Sequence, residues 1–214
     1  MRDIVVFSGS APALAAEVCA HLGLPLSPVR TTRFADDCLE VQLDANCRER
    51  DVFLIQPLVV PVQENLVELL LMCDAARGAS ASRITVVLPH YAYARSDTKD
   101  APRISIAGRL MADLLVTAGA GRVLAMSLHS PQVHGFFSVP VDHLHALREL
   151  AGHFRGGDLS LTTVVSPDLA TPSPPRPSPD FSVRMSRPPQ GPSRGSPTTG
   201  SASVPSSARS RVVT

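Results

Sequence analysis

Strand-like and helix-like segments alternate along residues 1–170, and this alternation constrains the fold more than any other feature of the chain. Short apolar, β-branched runs predict strands, whereas apolar residues three or four positions apart predict helices. Strands are predicted at residues 4–7, 38–43, 52–55, 84–88, 123–126 and 162–165. Helices are predicted between Ser10 and Gly23 and at residues 63–76, 106–117 and 143–154. This pattern is typical of an α/β protein with a mostly parallel, doubly wound sheet and helices on both faces.

Local features refine the prediction at three places. No helix separates the strands at 38–43 and 52–55, so we expect these two strands to pair antiparallel. In the helix at 106–117, Leu110, Leu114 and Leu115 are expected to face the core. The turn at residues 8–10 admits two interpretations: Ser10 caps the following helix, or the turn binds phosphate.

A polar loop at residues 89–103 follows the predicted strand at 84–88. It contains both tyrosines and the only lysine of the chain, together with Arg95, Asp97 and Asp100. In an open α/β sheet, ligands bind outside the carboxyl ends of the strands, which is where this loop begins. The sequence therefore predicts a functional loop, although a charged, solvated connection would have a similar composition.

Two further polar clusters follow predicted strands, one at residues 127–130 with His129 and one at 166–168 with Asp168. Because the carboxyl ends of parallel strands meet at one edge of a sheet, these clusters are expected to converge with the loop that carries Arg95. An imidazole, a carboxylate and a guanidinium would suit a Mg²⁺-bound polyphosphate. The alternative is a purely structural role for His129.

The composition changes sharply beyond residue 170. Residues 171–214 contain 10 prolines and 11 serines, with six arginines and one acidic residue. Such a segment buries too little apolar surface to offset its chain entropy, so a disordered tail is predicted. A role as a linker or a contact with nucleic acid stays open, but the absence of any partner is favoured.

The remaining sequence favours a cytoplasmic protein. No apolar run reaches the length of about 18 residues needed to cross a membrane, and the N-terminus shows no signal peptide. The four cysteines form no CxxC pair, which favours reduced thiols.

Several motifs resemble ribose-phosphate pyrophosphokinase, also called phosphoribosyl pyrophosphate synthetase. The resemblance runs from about residue 3 to residue 169 and rests on motifs that keep the order and spacing of the family. They are FSGS (7–10), RFADD (33–37), DVFLIQ (51–56), the stretches 64–97 and 110–137, VPVDHL (139–144) and VVSPD (164–168). The family has a phosphoribosyltransferase-like α/β fold with two similar domains, so the resemblance supports the predicted sheet.

The resemblance also implies a reaction and its ligands. Members of the family transfer the β,γ-diphosphoryl group of ATP to ribose 5-phosphate with Mg²⁺, which yields phosphoribosyl pyrophosphate for nucleotide biosynthesis. The implied ATP-binding residues are Phe34, Asp36, Arg95, Asp97 and Asp100, with Phe34 and Arg95 on either side of adenine. The implied Mg²⁺ ligands, direct or through water, are His129 and Asp168. Members assemble as oligomers, so a homo-oligomer or a hetero-oligomer with a full-length relative is expected.

The chain departs from the family at three positions of the implied site. Cys38, Ser96 and Ser127 stand where an acidic residue, a glutamine and an aspartate are usual. The loss of the carboxylate at Ser127 weakens the implied metal site.

The departures continue at the level of domains. Residues 1–155 resemble the N-terminal domain and residues 156–170 the start of an incomplete second one, while 171–214 lack the loops that carry the family's catalytic residues and pentose phosphate site. We therefore expect little activity from this chain alone. The alternative is a non-catalytic subunit that binds and regulates a full-length relative.

Overall fold

The computed structural model describes residues 3–154, and within them strands and helices alternate as the sequence predicts. The strands are β1 (Ile4–Ser8), β2 (Leu26–Ser27), β3 (Val29–Arg33), β4 (Leu39–Leu43), β5 (Asp51–Ile55), β6 (Arg83–Leu88), β7 (Arg122–Met126) and β8 (Val141–Leu144). The helices are α1 (Pro12–Leu22), α2 (Val62–Gly78), α3 (Ala107–Ala118) and α4 (Leu147–His153), with a 3₁₀ helix at Pro131–Phe136. The strand predicted at 162–165 and the tail at 171–214 lie outside the described residues.

Six strands form one parallel sheet in the order β2-β1-β5-β6-β7-β8. The chain moves outward from β1 in one direction through α1, and in the other direction through α2 and α3. Because such crossovers are right-handed, reversing the direction places the helices on opposite faces of the sheet. The sheet is therefore doubly wound, and its strand order reverses between β1 and β5.

Alternating burial along β1 shows the two layers directly. Val5 and Phe7 belong to the large core shared with α2 and α3, whereas Val6 belongs to a smaller cluster with Ala15 and Cys19 of α1. Side chains of successive strand residues point to opposite faces of a sheet. Two hydrophobic layers thus cover the sheet, and the larger one lies under α2 and α3.

The antiparallel pair predicted between residues 38–43 and 52–55 is wrong. β4 pairs antiparallel with β3 in a separate two-stranded sheet, in which Thr31 lies opposite Val41. β5 instead lies between β1 and β6 and pairs parallel with both. The prediction missed β3 because its sequence, VRTTR, is polar and has no buried face.

Two predictions about helices are also corrected. Residues 143–154 are not one helix, because β8 occupies Val141–Leu144 at the sheet edge and α4 begins only at Leu147. In α3, Leu115 is buried as expected, but Leu110 is 51% exposed and Leu114 is exposed too. The buried positions of α3 are instead taken by smaller or unbranched side chains, Gly108, Met111 and Ala112.

The face of the sheet that carries α1 is left partly open within the described residues. A groove of about 390 Å³ lies between α1 and the strands β5 to β8, and its walls are apolar. Leu14 and Val18 of α1, Met126 of β7 and Leu144 of β8 contribute exposed apolar surface to it. No helix in residues 3–154 is long and apolar enough to span a membrane.

Candidate functional site

The polar loop after β6 is fastened to α3 at its start. Tyr91 is buried, and its hydroxyl donates a hydrogen bond to the carbonyl oxygen of Gly108 at 2.7 Å. Burial raises the pKa of the Tyr91 hydroxyl, so this group stays a donor at any physiological pH. A Cβ atom at Gly108 would lie only 3.0 Å from the carbonyl oxygen of Tyr93, so any larger residue there would push the loop and the helix slightly apart.

Two of the predicted site residues, Asp97 and His129, meet at the carboxyl edge of the sheet. Nδ1 of His129 lies 3.3 Å from Oδ2 of Asp97. The hydroxyl of Ser130 donates to the same carboxylate oxygen at 2.5 Å. Asp97 follows β6 and the other two follow β7, so the parallel sheet brings these polar clusters together as the sequence predicts.

The surroundings of Asp97 keep its carboxyl group ionised. The hydrogen bond from Ser130 lowers the pKa of Asp97, and the hydrogen bond from His129 lowers it further. The Asp97 side chain is 7% exposed, whereas the His129 side chain is 46% exposed. When Nδ1 of His129 donates to Asp97, its Nε2 atom carries the free lone pair, and Nε2 makes no hydrogen bond in the described part of the chain. A carboxylate thus holds an accessible imidazole nitrogen ready to bind a ligand.

The loop that carries His129 is held on its other side by the end of β8. The backbone N–H of Leu128 donates to Nε2 of His143 at 3.0 Å, and the N–H of Ser127 donates to the carbonyl oxygen of Leu144 at 2.8 Å. The Ser127 hydroxyl accepts a bond from the N–H of Ala146. Ser127 has a φ of 51°, in the left-handed region that residues with a side chain rarely adopt. These contacts hold an uncommon backbone conformation at Ser127, two residues before His129.

The contact between Leu128 and His143 predicts a loss of stability in weak acid. His143 must be neutral to accept, and burial, followed by the nearby His145 and His134, lowers its pKa. Since its pKa is lower in the folded than in the unfolded state, where it is about 6.5, stability is fully present above that pH and is lost as pH falls. We expect His143→Gln, whose amide oxygen can still accept, to show a shallower loss between about pH 7 and pH 5 in denaturant unfolding.

The matched control for this prediction is His21→Gln, because His21 is exposed in the last turn of α1. His21→Gln should lose as much stability between about pH 7 and pH 5 as the unsubstituted protein does. An unchanged slope in His143→Gln would show that His143 does not titrate with folding.

Phe34 and Asp36 lie in the turn between β3 and β4. We call these two strands and their turn the hairpin (residues 29–43). The Phe34 ring is 49% exposed, and Asp36 uses one carboxylate oxygen to accept from the N–H of Cys38. Asp37 has a φ of 70°, and its side chain forms an ion pair with Arg33. The turn therefore presents an exposed ring and an exposed carboxylate on a well-defined backbone.

The other predicted residues are placed less closely together. Arg95 is exposed and its side chain forms no hydrogen bond or ion pair with any described residue, and no ring contact joins it to Phe34. Asp100 is exposed, and among residues 3–154 its carboxylate accepts only from the Thr98 hydroxyl. Asp168 lies outside the described residues. The structure thus brings Asp97 and His129 together, and leaves Arg95 and Phe34 apart and available.

The turn at residues 8–10 is filled by side chains of the protein itself. The N–H of Ser10 donates to Oε1 of Gln56 at 2.8 Å, and a Cβ atom on Gly9 would overlap Gln56 and the carboxylate of Glu68. Ser10 does not cap α1, whose N-cap is Ala11 without a side-chain bond. Because an amide of the turn is already bonded and a carboxylate stands beside it, this arrangement disfavours the phosphate-binding interpretation.

Sequence reasoning missed three residues that shape the site. The sequence pattern identifies Ser130 only as part of a polar cluster and gives no sign of its hydrogen bond to Asp97. It predicts a helix at His143 and marks Gln56 only as the end of the motif DVFLIQ. A polar residue directly after a buried strand, as in the case of Gln56, was the signal that could have identified it.

The described residues fit a Mg²⁺ site only in part. No group of three His, Cys, Asp or Glu side chains that could hold a metal ion occurs among residues 3–154. Asp97 and His129 supply a carboxylate–imidazole pair, the arrangement in which a carboxylate orients a metal-binding histidine. Mg²⁺ needs few protein ligands when phosphate oxygens and water complete its shell, so a nucleotide would have to supply most of the coordination.

Comparison with known proteins identifies the class of protein to which this fold and site belong. Residues 4–119 match the family model of the N-terminal domain of ribose phosphate pyrophosphokinase. A Streptomyces coelicolor protein provisionally named ribose-phosphate pyrophosphokinase is 82% identical over 170 residues, which are 79% of this chain and 54% of that protein. The ribose-phosphate pyrophosphokinase of Deinococcus radiodurans is 55% identical over 171 residues, or 78% of this chain and 53% of the relative.

A solved structure gives the same result. The phosphoribosylpyrophosphate synthetase of Mycobacterium smegmatis matches 72% of this chain and 52% of its own length, with a TM-score of 0.69 and 40% sequence identity. The chain therefore belongs to the ribose-phosphate pyrophosphokinase family. It spans about half the length of the curated relatives it matches.

Proposed function

We propose that this chain carries the nucleotide half of a ribose-phosphate diphosphokinase and binds Mg·ATP at the carboxyl edge of its sheet. The observation that carries the proposal is the contact between Asp97 and His129, which joins the loops after β6 and β7 beside the exposed Arg95. In the family reaction, the diphosphoryl group of ATP would pass to the anomeric hydroxyl of ribose 5-phosphate. Phosphoryl transfer depends mainly on positioning and charge neutralisation. At this edge, His129 held by Asp97 would position the metal, and the cationic Arg95 would neutralise phosphate charge.

Each residue has a distinct part in the proposed site. His129, held by Asp97, would offer Nε2 to Mg²⁺ or to a water of its shell, and the bound Mg²⁺ would neutralise phosphate charge. Asp168 would complete the metal site. Arg95 would hold phosphate oxygens or stack on the adenine ring, since its guanidinium has no partner among the described residues. Phe34 would supply a second apolar surface for the base, and Asp36 would contact the nucleotide.

Arg95→Ala tests this assignment by removing the free guanidinium. We expect about 10- to 100-fold weaker binding of a non-hydrolysable Mg·ATP analogue in isothermal titration, because a hydrogen bond to a charged group contributes about 1.5–3 kcal/mol. Arg95→Lys should recover only part of the loss, since an ammonium lacks the planar fork.

Arg109→Ala is the matched control, because Arg109 lies in α3 and is engaged by Asp113. It should leave the affinity for the analogue unchanged. Equal affinity in Arg95→Ala and in the unsubstituted protein would remove Arg95 from the site.

One observation favours a second function, that of a non-catalytic subunit that binds a full-length relative. Ser127 stands where the family usually has an aspartate, and its hydroxyl is engaged by the N–H of Ala146. This position therefore supplies no carboxylate to a metal. Co-purification with a full-length ribose-phosphate pyrophosphokinase, with a changed rate of that enzyme and no turnover by this chain, would support the subunit role.

A further inference from the structure

The hairpin that carries Phe34 and Asp36 stands apart from the main sheet. It is a separate two-stranded sheet, which packs on the core through Val29 of β3 and through Val41 and Leu43 of β4. Beyond Val29 every residue of β3 is exposed, whereas alternate residues of β4 are half-buried. The part of β3 that leads to Phe34 is therefore held by its pairing with β4 and by polar side-chain contacts with α2.

Glu68 of α2 makes one of these polar contacts with β3. The Thr31 hydroxyl in the middle of β3 donates to Oε1 of Glu68 at 2.7 Å. The other oxygen, Oε2, accepts from Nε2 of Gln56 at 2.9 Å. One carboxylate thus joins the hairpin to the residue that follows β5 at the centre of the main sheet.

Gln56 is a rigid anchor for this carboxylate. It is fully buried, its Nε2 also donates to the carbonyl oxygen of Asn65, and its Oε1 accepts from the N–H of Ser10. Gly9 leaves the space into which Gln56 and Glu68 fit, since a Cβ atom there would overlap both. The amide and the carboxylate occupy the point between β1 and β5 where the strand order reverses, which in this fold class is the usual ligand crevice.

We infer that Glu68 is a positioning residue for nucleotide binding: through Thr31 it fixes the hairpin on the sheet and so sets the position of Phe34 and Asp36. Phe34 lies three residues beyond Thr31, about 10 Å along an extended strand. A second tie, the ion pair between Arg33 and Glu64 of α2, also holds β3, and it is exposed on both sides, as is the contact between Thr31 and Glu68. The inference rests on the proposed function, because it concerns how the hairpin meets the nucleotide.

Thr31→Val removes the hydroxyl donor with little change of shape and on an exposed strand, so the variant should fold. Its expected effects are about five-fold weaker binding of a Mg·ATP analogue and faster hydrogen exchange in the hairpin. Thr31→Ser restores the hydroxyl and should recover both. Thr32→Val is the matched control, since Thr32 is exposed on the same strand and its side chain has no partner among the described residues. Glu68→Ala should weaken binding at least as much as Thr31→Val, because it also removes an acceptor of Gln56 Nε2.

The two readouts separate the possible failures. If the unsubstituted chain binds the analogue and Thr31→Val binds it equally well, the positioning role is overturned and the proposed function stands. Faster hydrogen exchange in the hairpin of Thr31→Val without a change in affinity also overturns it, because Glu68 is then only structural. If the unsubstituted chain binds no nucleotide, the proposed function fails and the positioning role fails with it.

Discussion

Gln56→Glu is expected to destabilise the protein by about 3–5 kcal/mol at pH 7, the cost of leaving a buried charge without a partner. The substitution keeps the shape of a side chain that is fully buried. In the native protein, Nε2 of Gln56 donates to Oε2 of Glu68 at 2.9 Å and to the carbonyl oxygen of Asn65. The substitution replaces this donor with a carboxylate oxygen. Two carboxylates would then share one site, and they cannot both remain ionised there without a large cost.

The pH dependence makes this prediction specific. The new carboxyl group would have a pKa raised above its unfolded value of about 4.3, so the stability difference from the unsubstituted protein should shrink below that pH and grow as pH rises. Denaturant unfolding at neutral and acid pH measures it. Gln42→Glu, on the exposed face of β4, should change stability by no more than about 0.5 kcal/mol. A stable Gln56→Glu variant at pH 7 would mean that Gln56 does not face Glu68.

Asp97→Ala is expected to weaken binding of Mg·ATP by about 10- to 100-fold, the usual cost of losing the carboxylate that orients a metal-binding histidine. The substitution releases the imidazole ring of His129, now 3.3 Å from the Asp97 carboxylate, and the hydroxyl of Ser130, now at 2.5 Å. It also removes a negative charge from the site, which by itself would favour a polyphosphate. A net loss of affinity therefore requires that the orientation of His129 matters more than the local charge.

Asp97→Asn separates these two effects because it keeps an acceptor oxygen and removes the charge. We expect its affinity for Mg·ATP to lie between those of Asp97→Ala and the unsubstituted protein. Asp74→Ala, which breaks an exposed ion pair with Arg77 in α2, serves as the control and should leave the affinity unchanged. Tighter binding by Asp97→Ala would mean that the carboxylate opposes the nucleotide instead of organising its site.

The main sheet could be predicted from the sequence because its central strands are buried on both faces and therefore have continuous apolar sequences. Residues 84–88 are the best example, since Ile84, Val86 and Leu88 are buried in the larger core and Val87 packs against the smaller cluster on the opposite face. The hairpin could not be predicted in this way. Its strand β3 is polar and solvent-exposed, so its structure depends on pairing with β4 and on the contact between Thr31 and Glu68, which is distant in sequence.

The candidate site was predictable at the level of loops but not of contacts. The rule that ligands bind beyond the carboxyl ends of parallel strands brought the loops of Asp97 and His129 to one edge. It could not show that Ser130 shares the Asp97 carboxylate, because serines follow many strands. Nor could it show that Gln56 and Glu68 fill the point where the strand order reverses, since that depends on the space left by Gly9.

Isothermal titration of the purified chain with Mg·ATP, followed by ribose 5-phosphate, tests the central claim most directly. The claim is that the carboxyl edge around Asp97, His129 and Arg95 is a nucleotide site. It predicts saturable binding of Mg·ATP that is lost or weakened in Arg95→Ala and Asp97→Ala, whatever the result with ribose 5-phosphate. Absence of Mg·ATP binding by the unsubstituted chain would contradict the claim and leave the family fold without its nucleotide site.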